Sequence, residues 1–259
     1  MNDTVTIAGR FNGPPRSANG GYACGITARA CTHGTAQTSL RVPPPVERPM
    51  RVERGGDGTD STDSKDAVSL YDGDTLIAQA SPATVDVDLP TPVTPAEAKD
   101  AIDHFDHDAY RAMHYFPTCF TCGPDRADGD GLRLFPGKVN RPEPMIAWPW
   151  TPDPSLPRED GELDPLVLWA ALDCPSGWAT YYSRDPHPHV LGSLAVRIER
   201  LPEPGEPSVA AGWPISDDGR KERSASAIWS ADGELLAVGA ATWIALTEEQ
   251  FARFRGAVS

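Results

Sequence analysis

One order of elements occurs twice along this chain, and the repeat constrains its fold more than any other feature. Each half contains a strand, then a helix of small or apolar residues (22–31 and 166–178), then several strand-like segments. Tyr-Asp-Gly-Asp-Thr-Leu-Ile-Ala at 71–78 also resembles Ala-Asp-Gly-Glu-Leu-Leu-Ala at 231–237, each a turn followed by an apolar strand. We interpret this as an internal duplication. The alternative is a chance match, because Asp-Gly hairpins are common.

Glycine and proline are abundant, with 23 and 27 among 259 residues, which favours short segments joined by turns over a helical bundle. The hydrophobic fraction of 39% is low for one large core but is sufficient for two small cores, each around one helix. We therefore predict an α+β chain with a first repeat at 1–90 and a second at 117–259. The linker at 91–116 contains a helix, which Thr94, Pro95 and Glu97 begin with a capping box.

The charge and the cysteines exclude several classes of partner. A net charge of −14 makes the chain a poor ligand for nucleic acid. The longest apolar run, 166–172, is too short to span a membrane, so no membrane partner is expected. The N-terminus has neither the basic nor the apolar region of a signal peptide, and five cysteines is an odd count. We therefore expect reduced thiols and a cytoplasmic protein.

Three stretches resemble hotdog-fold acyl-CoA thioesterases. Cys-Phe-Thr-Cys-Gly-Pro-Asp at 119–125, continued by Gly-Leu-Arg-Leu-Phe at 131–135, resembles the opening of many phenylacetyl-CoA-thioesterase-like sequences. Ala-Ala-Leu-Asp-Cys-Pro-Ser-Gly-Trp-Ala at 170–179 is similar to the central helix of the family, where an acidic residue follows an apolar run. Asn-Gly-Gly at 19–21 resembles the turn that precedes that helix.

The resemblance implies a double hotdog, in which two curved antiparallel sheets each wrap around a central helix. It further implies hydrolysis of an acyl-CoA or acyl-carrier thioester without a cofactor. The resemblance also implies that double-hotdog chains assemble into a homo-oligomer.

In the family, the turn precedes the acidic residue by about two helical turns. Seven residues after Gly21 stands Ala28, so the first repeat keeps the turn and lacks the acid. Seven residues before Asp173 stands Leu166, so the second repeat keeps the acid and lacks the turn. We therefore predict one composite site, with Asp173 as general base or nucleophile and the Gly20 and Gly21 amides holding the oxyanion.

Further residues are predicted to contact the substrate. The acyl chain would lie between the two helices, near Tyr22, Trp169 and Trp178. Asn19, Ser17 and Ser176 are ambiguous, because each could contact substrate or water or could cap a helix. Arg220, Lys221 and Arg223 form a basic cluster that would dock CoA phosphates, or would merely protect a strand edge.

The remaining candidates have structural alternatives. Pro175 disfavours a regular helix, so Asp173 could instead satisfy a broken helix end. Cys119 and Cys122 have the spacing of half a zinc site, but a structural zinc ion needs four ligands and no second Cys-x-x-Cys exists. Cys24, Cys31, Cys174 and His114 would have to supply the rest, so we predict no metal.

Two other reactive groups have weaker support. A catalytic thiol at Cys174 lacks a histidine nearby in sequence. His104, His107 and His114 would share a helix face if the linker helix continued, although a solvated polar face is the simpler interpretation.

Two other functions remain open. The first is a non-catalytic acyl-CoA-binding protein, since the second acid is missing. The second is a dehydratase or hydratase, which needs a histidine paired with an acid. No histidine lies near either helix in the sequence, so the hydratase ranks below the thioesterase.

Overall fold

Eleven antiparallel strands form one continuous sheet in the computed structural model, which describes residues 3–31, 35–55, 66–183 and 187–259. The first half supplies β1 (Asp3–Thr6), β2 (Ala36–Leu40), β3 (Pro49–Arg54), β4 (Val68–Asp72) and β5 (Thr75–Pro82). The second half supplies β6 (Gly137–Lys138), β7 (Ile146–Trp150), β10 (His189–Ile198), β11 (Ser208–Asp218), β12 (Lys221–Ser230) and β13 (Leu235–Ala245). A separate small hairpin consists of β8 (Arg158–Glu159) and β9 (Glu162–Leu163).

Helices lie between these strands in the chain order. They are α1 (Gly20–Ala28), α2 (Pro95–Asp103), α3 (His107–Met113), α4 (Pro165–Ser183) and α5 (Glu248–Val258), with a short 3₁₀ turn at Gly9–Phe11. No helix in the described ranges has the length and apolar character needed to cross a membrane.

The strand order joins the two halves edge to edge. It runs β1-β3-β4-β5-β2-β10-β13-β12-β11-β7-β6, so the halves meet where β2 pairs with β10. Ser39 lies opposite Ser193 and Ala36 lies opposite Val196 in this pair. The junction places α1 and α4 side by side under one sheet.

Helices α1 and α4 cross closely and run antiparallel. Gly21 faces Asp173 at one end of the crossing, and Arg29 forms an ion pair with Asp164 at the other. A Cβ atom on Gly21 would lie only 2.6 Å from Cβ of Asp173, so glycine is needed for this approach. The small residues predicted for the first helix therefore serve to bring the second helix near.

The linker helix α2 covers the opposite face of the sheet. Thr94 and Glu97 form the predicted capping box, which is confirmed. Ala98 is fully buried in a second apolar core together with Trp213 and Trp229. Residues of β11 and β12 are consequently buried on both faces, with α4 on one side and α2 on the other.

Two segments whose apolar pattern resembles a strand, 83–87 and 132–135, are irregular extended segments. In the segment 132–135, the side chains of Leu132 and Leu134 are buried. Their backbone amides donate to the carbonyls of Phe120 and Thr121 in a neighbouring loop and not to a strand. Residues 83–87 also lack strand pairing. Alternate residues of these segments are buried, which gives the sequence the pattern of a strand, although the backbone pairs with no neighbouring strand.

Helix α4 continues through Pro175 and is longer than predicted, extending from Pro165 to Ser183. Proline removes one helical hydrogen bond, but side chains from outside bond nearby carbonyls of the helix. Ser226 Oγ donates to Leu172 O at 2.5 Å, and Thr121 Oγ1 donates to Ala170 O at 2.9 Å. The helix end that Pro175 suggested at Asp173 is therefore absent.

The contact between Pro175 and β11 yields a testable prediction. A Cβ atom on Gly212 would lie 2.6 Å from the carbonyl carbon of Pro175, so Gly212→Ala should destabilise the protein by about 1–3 kcal/mol through overpacking. Denaturant unfolding measures this difference. Gly256→Ala on α5 is the matched control, because a Cβ atom added there would meet no other atom within 4 Å and stability should not fall. Equal stability of both variants would contradict the tight helix–sheet contact.

Candidate functional site

A buried carboxylate lies where the two central helices cross. Asp173 on α4 is only 3% exposed. Its Oδ2 atom accepts hydrogen bonds from Asn19 Nδ2 at 2.8 Å and from the Gly21 amide at 2.9 Å. Its Oδ1 atom is buried and has no hydrogen-bond partner among the residues that the structure describes. One carboxylate oxygen is thus held in place while the other is available.

Asn19 connects the start of α1 to this carboxylate. Its Oδ1 atom accepts from the Tyr22 amide at 2.9 Å and caps the helix. Its Nδ2 group then faces Asp173. The predicted capping role is confirmed, and the same side chain also orients the acidic residue.

The environment of Asp173 raises its pKa to about 7. Burial is the largest cause, because removing a carboxylate from water disfavours its charged form. The Gly21 amide, the Asn19 side chain and the Gly20 amide oppose this shift by stabilising the charged form. The result is a carboxyl group that exchanges a proton near neutral pH.

A cavity of about 410 Å³ opens beside Asp173, within the range of small-molecule sites. It is lined by the start of α1, the second half of α4, the ends of β2, β10 and β13, and part of α5. Most of its walls are apolar or aromatic, formed by Tyr115, Phe116, Trp178, Tyr181, Val190, Leu191, Trp243, Ile244 and Phe254. Such walls suit the apolar part of a ligand.

The structure brings several of the predicted site residues to this cavity. Ser17, Asn19, Gly20, Asp173 and Trp178 line it. Gly21 does not line it, but its amide bonds directly to Asp173.

Tyr22 and Trp169 were expected beside the acyl chain, and neither residue lines the cavity. Tyr22 stacks on Phe11 with ring centroids 4.1 Å apart, in the core. Trp169 packs against Gly25 where α1 and α4 cross. The helices pack directly on each other there, so the cavity lies beside their crossing and not between them.

Ser176 acts within the wall and does not line the cavity. Its hydroxyl donates to the Asp173 carbonyl at 2.7 Å and accepts from Trp243 Nε1 at 2.9 Å. Ser176 thereby fixes the position of Trp243 against α4. Of the two roles left open, the structure supports a local structural one.

The predicted basic cluster also lies outside the cavity. Arg220, Lys221 and Arg223 are exposed, and none lines it. Lys221 and Arg223 flank the buried Glu222 on β12, so they point to the opposite face of the sheet. Arg41, after β2, is the only arginine or lysine among the described lining residues, and sequence reasoning missed it.

A second polar group on the cavity wall was also missed. His187 Nε2 lies 2.6 Å from Glu222 Oε1, and His189 Nδ1 lies 3.5 Å from Glu222 Oε2. Both histidines line the cavity. Burial lowers the pKa of His189, and Glu222 opposes that shift. A histidine paired with an acid therefore exists here, which the sequence alone did not indicate.

The three linker histidines do not share a face. Helix α2 ends at Asp103 and α3 begins at His107, so the helix is interrupted between them. His104 Nδ1 donates to the Asp100 carbonyl of its own helix, and His107 packs against Phe105. Only His114 reaches the cavity.

Comparison with solved structures identifies the architecture. A conserved protein with a hot dog fold from Alicyclobacillus acidocaldarius superposes with a TM-score of 0.58 at 14% identity, covering 94% of this chain and 92% of that one. An acyl-CoA thioesterase II from Mycobacterium marinum gives a TM-score of 0.54 at 14% identity, covering 94% and 92%. The tesB protein of Mycobacterium avium subsp. paratuberculosis gives 0.54 at 12% identity, covering 89% and 88%.

No protein-family model and no curated protein matches the sequence. At these identities the similarity concerns the path of the backbone, with curved antiparallel strands around a central helix. On that basis, the chain has the hot dog fold.

Proposed function

We propose that this chain hydrolyses an acyl-CoA or acyl-carrier thioester at one composite site between two hotdog repeats. The observation that carries the proposal is Asp173, which lines a largely apolar cavity and whose buried Oδ1 atom lacks a partner among the described residues. The acyl-CoA thioesterase II of Mycobacterium marinum shares the fold over most of its length, which supports this chemistry. The internal duplication, the repeat boundaries, the homo-oligomer and the cytoplasmic location remain predictions.

In the proposed reaction, Asp173 Oδ1 takes a proton from water, and the resulting hydroxide attacks the thioester carbonyl. The tetrahedral intermediate then collapses, the carbon–sulfur bond breaks, and the thiolate takes the proton back from Asp173. In the alternative course, Asp173 attacks the carbonyl directly, the carbon–sulfur bond breaks and the thiolate leaves, giving a mixed anhydride; water then opens the anhydride, which releases the acid and restores the Asp173 carboxylate, while the thiolate takes up the proton from that water. Both courses use the same oxygen atom.

The Gly20 and Gly21 amides at the start of α1 are the proposed oxyanion donors. In the resting state the Gly21 amide bonds to Asp173 Oδ2. As Asp173 gains a proton its negative charge falls, while charge develops on the substrate oxygen. The amides and the positive end of α1 then interact more strongly with the oxyanion.

That same hydrogen bond favours the rival interpretation of a non-catalytic acyl-CoA-binding protein. If Asp173 only joins α1 to α4, the Gly21 amide never becomes available to a substrate. Binding without turnover distinguishes the two functions. The pairing of Glu222 with His187 and His189 makes hydration of an enoyl-CoA a useful third assay.

Asp173→Asn provides the first test of function. We expect this variant to lose at least about 100-fold in kcat for acyl-CoA hydrolysis, since it cannot accept the proton. Asparagine keeps an oxygen that can accept from Asn19 and Gly21, so the fold and the binding of acyl-CoA should persist. Rates from a panel of acyl-CoAs, with binding by calorimetry, measure both properties.

Asp232→Asn is the control for this test, because Asp232 is exposed in the turn before β13 and should leave kcat unchanged. Wild-type protein that binds acyl-CoA tightly and hydrolyses none of the panel would refute the thioesterase and favour the rival.

Arg41→Ala tests where CoA phosphates bind. Arg41 is exposed and lines the cavity, so its loss should raise KM for acyl-CoA about threefold to tenfold with little change in kcat. A thioester of N-acetylcysteamine, which has no phosphates, should show no such change. Lys221→Ala and Arg223→Ala are matched controls on the far face of the sheet. A larger increase in KM from these two variants would show that the predicted basic cluster, and not Arg41, binds the CoA phosphates.

A further inference from the structure

Three cysteines distant in sequence converge beside the cavity. The Sγ atoms of Cys119, Cys122 and Cys174 all lie within 4.8 Å of one another. Cys119 and Cys122 are each 4% exposed. His114 lies next to the group: its Nε2 atom is 3.3 Å from Cys122 Sγ, but it is not within 4.8 Å of all three sulfurs. We propose that these four side chains bind one Zn²⁺ ion as a structural Cys₃His site.

Two of the distances match the edges of a tetrahedral zinc site, and the His114 ring would have to shift toward the other sulfurs to bind the same ion. Zinc–sulfur bonds of about 2.3 Å imply an edge of about 3.8 Å between two sulfurs in a tetrahedron. The Cys119 and Cys174 Sγ atoms are 3.7 Å apart. With a zinc–nitrogen bond of about 2.0 Å, the sulfur–nitrogen edge is about 3.6 Å, near the separation of His114 and Cys122.

The chain is folded tightly where it supplies the first two thiols. The Gly123 amide donates to the Cys119 carbonyl at 2.8 Å. A Cβ atom on Gly123 would lie 2.5 Å from the Cys119 nitrogen, so the turn requires glycine. This turn brings Cys119 and Cys122 to the same side, facing Cys174 on α4.

His114 is held in place by its surroundings. Its ring lies 5.0 Å from Tyr110 and 5.3 Å from Trp178, and the Tyr110 hydroxyl donates to the Cys122 carbonyl at 2.8 Å. Its Nδ1 atom accepts from the Phe116 amide at 3.0 Å. Zinc at Nε2 would move the ring proton to Nδ1 and break that bond, so His114 is the ligand whose loss should matter least.

A disulfide explains the group less well than a metal ion. One disulfide would use two thiols and leave the third buried beside it, and the histidine would have no role. Three thiols with one imidazole are a donor set that zinc prefers. The ion would join the end of α3 and the loop at 119–122 to α4, one residue after Asp173.

The test is the metal content of untagged, reduced protein purified without chelator. Elemental analysis should find one zinc ion per chain. Cobalt substituted for zinc should show thiolate-to-cobalt charge-transfer absorption and strong tetrahedral d–d bands. X-ray absorption at the zinc edge should fit three sulfur ligands and one nitrogen ligand.

Variants assign the ligands independently of the proposed hydrolysis. Cys122→Ser should abolish stoichiometric zinc, and His114→Ala should keep zinc but release it faster to a chelator. Cys31→Ser is the control, because Cys31 lies outside the group and should not affect metal content. Circular dichroism establishes that each variant is folded.

Protein that contains no zinc as purified, and takes up none when reduced and incubated with it, would overturn the proposal. A Cys119–Cys174 disulfide detected by mass spectrometry in freshly isolated protein would do the same. Neither result bears on Asp173, whose variant is assayed separately.

Discussion

The crossing of α1 and α4 around a buried carboxylate is the interaction on which the arrangement of this protein depends. Asp173 cannot remain ionised in the core without donors, because desolvation of a charge is costly. Asn19 and the Gly21 amide supply those donors from the other half of the chain. The bond requires that the two helices approach closely, and Gly21 permits that approach. Where the helices lie in turn determines where β2 and β10 meet.

The two halves contribute unequally to the site. The first half provides a short helix whose N-terminal amides face the carboxylate, and the second provides the acid itself. Helix α4 also extends well past Asp173, and this extra length places Trp178 and Tyr181 along the cavity. Side-chain hydroxyl groups from outside the helix donate to the carbonyls of Ala170 and Leu172, close to the hydrogen bond that Pro175 removes. The longer helix therefore contributes more of the cavity wall than α1 does.

Much of the site depends on contacts between residues far apart in sequence. Glu222 meets His187 and His189 because β10 and β12 both flank β13. Cys174 meets Cys119 because the loop at 119–122 packs against α4. The sequence has the Cys-x-x-Cys spacing of half a zinc site, but Cys174 and His114 have no recognisable spacing relative to it. Pairs of this kind become visible only when the strand order and the helix packing are known.

Local signals in the sequence were sufficient for the start of α2, since the capping box of Thr94 and Glu97 depends on neighbouring residues alone. The family resemblance also led to the fold and to the hypothesis that Gly21 and Asp173 belong together. The sequence could not indicate which face of α1 or α4 borders the cavity, because both helices are apolar on nearly every side. For that reason, Tyr22 and Trp169 were expected at the cavity, although neither residue lines it. Only the tertiary structure determines which residues line the cavity, that Arg41 is among them, and that Cys119, Cys122 and Cys174 lie together. These features depend on how segments that are distant in sequence pack against each other.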